Sequence, residues 1–219
     1  MMKKNGFTLA EVLITLAIIG VVATLTLPAL MTNTQEQQAK TAIKKGINTL
    51  TEAAQTNLAI DGFDYSSLST FSTNDEESLS LYAILAKRTT MDRVTTGTAS
   101  NDAKLVNNGA SNYVVFFKDG SALSFVNDAT TYGNAAVAPQ ADGLPKGISA
   151  VYDTNGKKGP NLLSNCQGVG NQKQKGAPSD STANCSNKSK RVIKDQFGIR
   201  LRGSYAVPNG AAARWAYEN

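Results

Sequence analysis

The sequence predicts an α+β protein with a long N-terminal helix, transmembrane and then amphipathic, packed on a small antiparallel β-sheet. Three observations support this fold class. An apolar run fills residues 7–30, an apolar stripe with helical spacing continues to Leu58, and β-forming segments flank the dipeptide Asp119-Gly120. The first two features predict one continuous helix and the third predicts a β-hairpin, so helix and sheet occupy different parts of the chain.

The apolar segment 7–30 directly follows a short basic stretch that contains Lys3 and Lys4. At about 1.5 Å per residue, a helix of this length crosses a hydrocarbon layer of about 30 Å. The positive-inside bias keeps the two lysines in the cytoplasm and places the chain after Met31 outside it. We therefore expect a single-pass membrane protein whose folded head lies outside the cytoplasm.

Glu11 is unexpected in this segment, because a carboxylate inside a spanning helix costs roughly 2.5–3.5 kcal/mol. A basic leader that ends in Gly6, followed by Phe-Thr-Leu-Ala-Glu at the start of an apolar helix, resembles the processing site of type IV pilins and type II secretion pseudopilins. The resemblance implies a leader peptide of residues 1–6, cleavage by prepilin peptidase between Gly6 and Phe7, and N-methylation of Phe7. It also implies that subunit assembly brings Glu11 to the Phe7 amine of a neighbouring subunit.

Three other interpretations of the N-terminal segment compete with this resemblance. An ordinary secretory signal has a shorter apolar stretch and a small-residue cleavage site. An uncleaved anchor explains the length and the lysines, but it explains neither Gly6 nor Glu11. A buried helix of a soluble protein is disfavoured by paired lysines beside an apolar run of this length.

The helix contains two residues that weaken helices, Gly20 and Pro28. Glycine costs about 1 kcal/mol and proline about 3 kcal/mol in a helix interior, so we expect a kink near Pro28. In the resembled family, a glycine and a proline at these places bracket a stretch of helix that loosens in the filament. An ordinary proline kink explains the residues equally well.

Residues 31–62 are predicted to continue the helix as an amphipathic segment that a folded head can cover. Apolar residues recur there at intervals of three and four: Ile43, Ile47, Leu50, Ala54 and Leu58. The dipeptide Asp61-Gly62 then provides a stop signal, since glycine readily adopts the left-handed conformation found after helix ends. A helix of this length with one half in lipid is also typical of pilins.

The head, residues 63–219, should contain a short helix and a small sheet. Asn74 and Glu77 form a plausible cap for a helix that ends near Lys87, with its apolar side chains Leu81, Tyr82 and Leu85 facing inward. A hairpin is predicted where 113–117 and 122–125 flank Asp119-Gly120, and a third strand at 148–152. Residues 95–112 and 129–146 are interpreted as loops.

Turn motifs rich in Asn, Asp and Gly occupy the C-terminal third. The stretch 153–161, and later Asp195-Gln196-Phe197-Gly198, resemble the turn patterns of many bacterial pilin-like heads. Their oxygen-bearing side chains also suggest calcium, for which Asp153, Asn155 and Asp195 are weak candidates. The alternative, which we favour, is a purely structural set of Asx turns, so no cofactor is expected.

The segment 162–194 is polar and lysine-rich, and it holds both cysteines of the chain, Cys166 and Cys185. In an exported domain, an even pair that encloses a long loop indicates a disulfide that stabilises by about 3 kcal/mol. Two cysteines without histidine are too few for a structural zinc site. A disulfide-bounded loop near the C-terminus also resembles the variable surface region of type IV pilins.

Composition argues against an enzyme, because a chain of 219 residues without histidine lacks the commonest catalytic base and metal ligand. The formal net charge is +5, and the chain from Lys146 onward contains twelve Lys and Arg residues but only four acidic residues. Such a basic region could bind nucleic acid or another polyanion, but no nucleic-acid motif accompanies it, and a solvated basic surface explains it as well.

The sequence therefore predicts a structural subunit of a type IV pilus-like filament. Its partners would be other copies of itself and related pilins, prepilin peptidase, an inner-membrane assembly platform and the membrane. Before assembly it would be a membrane protein, and afterwards part of a cell-surface or periplasmic filament. Two alternatives stay open: a pseudopilin of a type II secretion system, and a membrane-anchored extracytoplasmic binding module.

Overall fold

The computed structural model describes residues 6–70, 75–96, 112–127, 146–159, 161–168 and 185–219. The chain divides into two compact units, Met1–Gln38 and Ala39–Asn219. The first unit contains the N-terminal part of a long helix. The second contains the rest of that helix, two further helices and the sheet.

The long helix α1 runs from Leu9 to Asp61 and confirms the predicted continuous helix. It ends as expected, because Gly62 adopts a φ of +79° and its N–H donates to the Leu58 carbonyl at 3.2 Å. The apolar stripe is buried through Ala54, but Leu58 is 42% exposed. Its predicted core position is taken by Asn57, which is fully buried and donates from Nδ2 to the Phe63 carbonyl at 2.9 Å.

The second helix α2, Leu81–Arg88, begins later than predicted. Its N-cap is Ser80, whose hydroxyl accepts a hydrogen bond from the Ala83 N–H at 3.1 Å. The predicted cap with Glu77 is wrong because Asp75 accepts the Glu77 N–H at 3.0 Å in a turn of its own, while Asn74 lies outside the described residues. Leu81 and Leu85 are buried as expected, and Tyr82 is only half-buried.

The sheet has six antiparallel strands in the described part of the chain, in the spatial order β1 to β6. Their bounds are Met91–Thr96, Asn112–Phe117, Ala122–Val126, Ile148–Asp153, Gln196–Arg202 and Tyr205–Pro208. A C-terminal helix α3, Ala211–Glu218, follows β6. The predicted hairpin is confirmed as β2 and β3, and the predicted third strand as β4. Strands β1, β5 and β6 and helix α3 were not predicted.

The loop predicted for 95–112 overlaps two strands at its ends. Thr95 and Thr96 belong to β1 and Asn112 to β2, so the loop predicted for 95–112 was drawn too long at both ends. The stretch 97–111 between them and the stretch 128–145 lie outside the described residues. The same holds for residues 169–184 within the segment that the cysteines enclose.

The core lies between α1 and one face of the sheet. The inward side chains of β2, β3, β4 and β5 alternate along each strand and are buried: Tyr113, Val115, Phe117, Leu123, Phe125, Ala150, Tyr152, Phe197, Ile199 and Leu201. They pack on the helix side chains Ile43, Ile47 and Leu50. The Tyr65 hydroxyl donates to the Leu50 carbonyl at 2.7 Å, which ties the connection after α1 to the helix. The fold is therefore the α+β, pilin-like arrangement that the sequence predicts.

Candidate processing and assembly site

Gly6 and Phe7 precede the first helical residue and are not part of any helix or strand. Gly6 is exposed, and the Phe7 side chain is 91% exposed. Proteolysis favours exposed segments without secondary structure. The bond between Gly6 and Phe7, where cleavage is predicted, is therefore accessible in this structure.

Thr8 and Glu11 form a reciprocal cap at the start of α1. Glu11 Oε2 accepts hydrogen bonds from the Thr8 N–H and the Thr8 hydroxyl, each at 2.8 Å, and the Glu11 N–H donates to the Thr8 hydroxyl at 3.3 Å. This is the capping box of the pattern Thr-x-x-Glu. The pattern is visible in the sequence, although the only role predicted for Glu11 was contact between subunits. The structure adds a second role for Glu11, within its own chain.

The cap uses only one oxygen of the Glu11 carboxylate. Both Thr8 donors go to Oε2, and within the part of the chain that the structure describes no donor reaches Oε1. An ionised carboxylate accepts about four hydrogen bonds. Glu11 can therefore cap its own helix and accept a further cationic donor at the same time.

The helix from Leu9 to Leu27 is long and apolar enough to span a membrane, with a mean hydropathy of 2.3. Its large apolar side chains are exposed in the isolated chain. The threonine hydroxyls bond the helix's own carbonyls: Thr15 to Val12 O at 2.9 Å, Thr24 to Gly20 O at 3.0 Å, and Thr26 to Val22 O at 3.0 Å. These polar groups need no outside partner, which suits the segment to lipid or to a protein interior.

Gly20 and Pro28 lie inside α1, whose helical hydrogen-bond pattern continues past both. A side chain at Gly20 would have no atom within 4 Å. Proline has no N–H, so Pro28 leaves the carbonyl four residues earlier, that of Thr24, without its helical donor. The predicted kink at these residues stays a prediction.

Two of the predicted calcium ligands instead organise turns. Both Asp195 oxygens accept backbone N–H groups, from Asn161 at 2.7 Å and Leu162 at 2.9 Å. Asp153 Oδ1 accepts the Asn155 N–H at 3.0 Å, which closes the Asx turn after β4. The described residues contain no group of three or more His, Cys, Asp or Glu side chains that could hold a metal ion.

Asp153 is buried, and burial raises its pKa to about 7, helped by the nearby charge of Asp195. Its Oδ2 accepts from Gln196 Nε2 at 3.0 Å. Gln196 Oε1 is buried with no donor among the described residues. A protonated Asp153 could donate to that oxygen after the Gln196 amide rotates by half a turn, so the site suits the neutral carboxyl.

Asp153 should make the protein less stable as the pH rises. Its folded pKa of about 7 lies above the ordinary 3.8, so folding retains a proton that the unfolded chain has released between these values. We expect this group to lower the free energy of unfolding by up to about 4 kcal/mol between roughly pH 4 and pH 7. Urea unfolding should therefore show Asp153→Asn gaining stability relative to wild type across that range. A difference that does not change with pH would contradict this, and Glu218→Gln, at an exposed position, is the matched control.

Cys166 and Cys185 form the predicted disulfide, with their Cα atoms 5.1 Å apart. Both cysteines are buried and pack with Ala211 and Ala212 of α3. The disulfide therefore fixes the two ends of the enclosed segment to the C-terminal helix. The predicted outward display of that segment concerns 169–184, which lie outside the described residues.

The Trp215 ring of α3 contacts Lys40 of α1 and Arg191, which follows the disulfide-bounded segment. The Lys40 ammonium lies 4.1 Å and the Arg191 guanidinium 3.9 Å from the centre of its ring. Arg191 Nη1 also donates to the Cys185 carbonyl at 3.2 Å. Stacked cations of this kind stabilise modestly when exposed and more when desolvated. No local pattern in the sequence points to this contact, which depends on the tertiary placement of three distant residues.

Among the described residues of the C-terminal third, the basic side chains do not all lie on the surface. Arg202 is buried, and Arg200 is half-buried with its pKa lowered by burial and by Arg202. Lys188 and Lys190 are exposed beside the disulfide, whereas Lys157 and Lys158 are exposed in the turn after β4. The described basic residues are thus divided between buried and exposed positions.

Comparison with known proteins identifies the N-terminal segment. Residues 1–27 match the family model of the prokaryotic N-terminal methylation motif. This motif is the prepilin signal of type IV pilins and pseudopilins. The motif and the apolar helix together fit a membrane-anchored precursor. No curated protein and no solved structure matches the chain.

Proposed function

We propose that this chain, which carries a prepilin signal, is a structural subunit of a type IV pilus-like filament. Prepilin peptidase removes residues 1–6 by cutting after Gly6, and the new N-terminus, Phe7, is N-methylated. The observation that carries the proposal is the methylation motif over residues 1–27. The exposed bond between Gly6 and Phe7 supports it, as does an apolar helix that begins two residues later.

The proposed precursor crosses the inner membrane once. Lys3 and Lys4 stay in the cytoplasm, residues 7–30 span the membrane, residues 31–62 continue the helix, and residues 63–219 form a head outside the cytoplasm. An assembly platform in the inner membrane then moves the subunit into the filament beside copies of itself and related pilins. The large apolar side chains of α1, exposed in the isolated chain, are buried there against neighbouring helices.

Glu11 guides assembly through charge pairing in this proposal. Cleavage frees the Phe7 amine, a cation that would be costly to bury alone. The Glu11 oxygen that the helix cap leaves without a donor can accept this amine from a neighbouring subunit. Opposite charges attract far more strongly in a low-dielectric filament core than in water, so the pair favours correct register between subunits. This chain contributes binding and packing, and no catalysis.

A pseudopilin of a type II secretion system is the second candidate, because the same motif serves both kinds of protein. The disulfide-bounded segment near the C-terminus favours a surface pilus. An anchored binding module that only borrows the helix is the candidate of another class. Neighbouring genes separate the last candidate from the others, since an assembly ATPase and a platform protein favour a filament.

The test of the proposal is fractionation of cells that express the tagged chain and its assembly genes. Filaments are sheared from the cells, pelleted and compared with the membrane fraction by immunoblot. We expect the chain in the sheared fraction as well as in the membrane. Its confinement to the membrane under every condition, with assembly genes present, would favour the anchored module.

A further inference from the structure

A groove of about 460 Å³ lies at the end of the sheet where β1, the β2–β3 turn and the turn after β4 meet. We call it the Phe116 groove. Its lining includes one aromatic, four charged and one amide side chain: Phe116, Asp92, Arg93, Lys157, Lys158 and Asn155. Its volume is in the range of clefts that hold small ligands, about 300–1,000 Å³. It lies wholly within the head and is remote in sequence from the processing site.

The Phe116 groove is positively charged. The Arg93 guanidinium lies 4.4 Å and the Lys157 ammonium 5.9 Å from the centre of the Phe116 ring. Two cationic groups therefore lie near the same ring. Asp119, an acid in the wall, does not offset them, because it pairs with Lys45 at 2.8 Å and accepts from Ser121. The groove is therefore suited to an anionic group, and the planar guanidinium to a carboxylate or phosphate.

The groove also offers acceptors that need a donor from the ligand. Asn155 Oδ1 is buried with no hydrogen-bond donor among the residues that the structure describes. An unsatisfied buried acceptor is unfavourable, and a ligand hydroxyl would supply its missing donor once the amide turns toward the ligand. The exposed residue Asp92, which also lines the groove, is a second acceptor.

We propose that the Phe116 groove binds an acidic sugar, a carboxylate-bearing unit of a polysaccharide. The sugar carboxylate binds Arg93 and Lys157, and its hydroxyl groups donate to Asn155 and Asp92. Nucleic acid fits less well for two reasons. Phe116 is only 5% exposed and offers no face for base stacking, and a DNA phosphodiester has no hydroxyl to donate to Asn155. This binding does not depend on assembly into a filament.

The test is calorimetric titration of the full chain in neutral detergent micelles with tetragalacturonate at physiological salt. Arg93→Gln and Lys157→Gln should each weaken binding about tenfold, the value expected for one charge-assisted hydrogen bond. Lys188→Gln removes the same charge from an exposed site outside the groove and should change affinity by less than about twofold. Maltotetraose, a neutral sugar of equal length, should not bind.

Absence of binding to tetragalacturonate would overturn the proposal. So would an equal loss in Lys188→Gln, which would mean that overall charge, and not the groove, holds the ligand. Tighter binding of a short DNA than of tetragalacturonate would also overturn it, in favour of a nucleic-acid surface.

Discussion

Replacement of Glu11 by glutamine is expected to remove nearly all of this chain from sheared filaments while membrane insertion and cleavage after Gly6 continue. Glutamine keeps an acceptor for the Thr8 N–H, so the helix cap survives. It loses the negative charge, so in the proposed filament the Phe7 amine of the neighbouring subunit would be buried without its partner. Leaving one member of a buried pair unpaired costs about 3–5 kcal/mol, or more than about 100-fold in assembly. Immunoblots of sheared and membrane fractions measure the effect.

Two further variants separate charge from capping. Glu11→Leu removes both and should fail to assemble like Glu11→Gln, although it lowers the cost of insertion by roughly 2.5–3.5 kcal/mol. Thr8→Val removes the hydroxyl of the cap but keeps the carboxylate, so it should lose about 1 kcal/mol of helix stability and still assemble. Wild-type amounts of Glu11→Gln in filaments would rule out charge pairing.

Replacement of Gly46 by alanine should strongly destabilise the head. A Cβ atom at Gly46 would overlap Cζ of Tyr152 and lie 2.5 Å from its Cε1, closer than real carbon contacts. The Tyr152 ring is 4% exposed and cannot move aside freely, since it belongs to the core between α1 and β4. Overpacking of this kind costs about 1–3 kcal/mol or more, which outweighs the roughly 1 kcal/mol that alanine gains over glycine in a helix. Urea unfolding of the full chain in micelles measures the loss.

Gly159→Ala is the matched control for this substitution, because nothing lies within 4 Å of a Cβ there. Its stability should stay within about 0.5 kcal/mol of wild type. Replacing the Tyr152 ring by the smaller side chain in Tyr152→Leu should partly restore the stability of Gly46→Ala. The losses of stability from the two substitutions should therefore not add. A Gly46→Ala protein as stable as wild type would show that α1 and β4 do not pack as described.

The parts of the fold that were predictable are those with strong local signals. The long helix follows from its apolar run and stripe, and the β2–β3 hairpin follows from Asp119-Gly120, where Gly120 adopts a φ of +89°. Strand β5 was not predicted although apolar residues alternate along it at Phe197, Ile199 and Leu201, because the motif at its start, Asp195-Gln196-Phe197-Gly198, is typical of turns. Strand β1 carries little such alternation and gains its structure from pairing with β2.

The candidate site was predicted in part, for a similar reason. Gly6, Phe7 and Glu11 form a short motif that can be read from the sequence, and the match over residues 1–27 supports it. The cap formed by Thr8 and Glu11 was not predicted, although the pattern Thr-x-x-Glu at the start of an apolar helix is a local signal for it. The stacking of Lys40 and Arg191 on Trp215 depends on long-range packing, and no local pattern encodes it.

The central claim is that this chain is processed as a prepilin, and the mass of its mature N-terminal peptide tests it most directly. Membrane and sheared fractions are digested, and the first peptide is sequenced by mass spectrometry. We predict a chain that begins at Phe7 and carries one additional methyl group on its amine. An intact Met1 or Met2 terminus, or a first residue beyond Met31, would contradict the claim and return the N-terminal helix to the role of an anchor or a secretory signal.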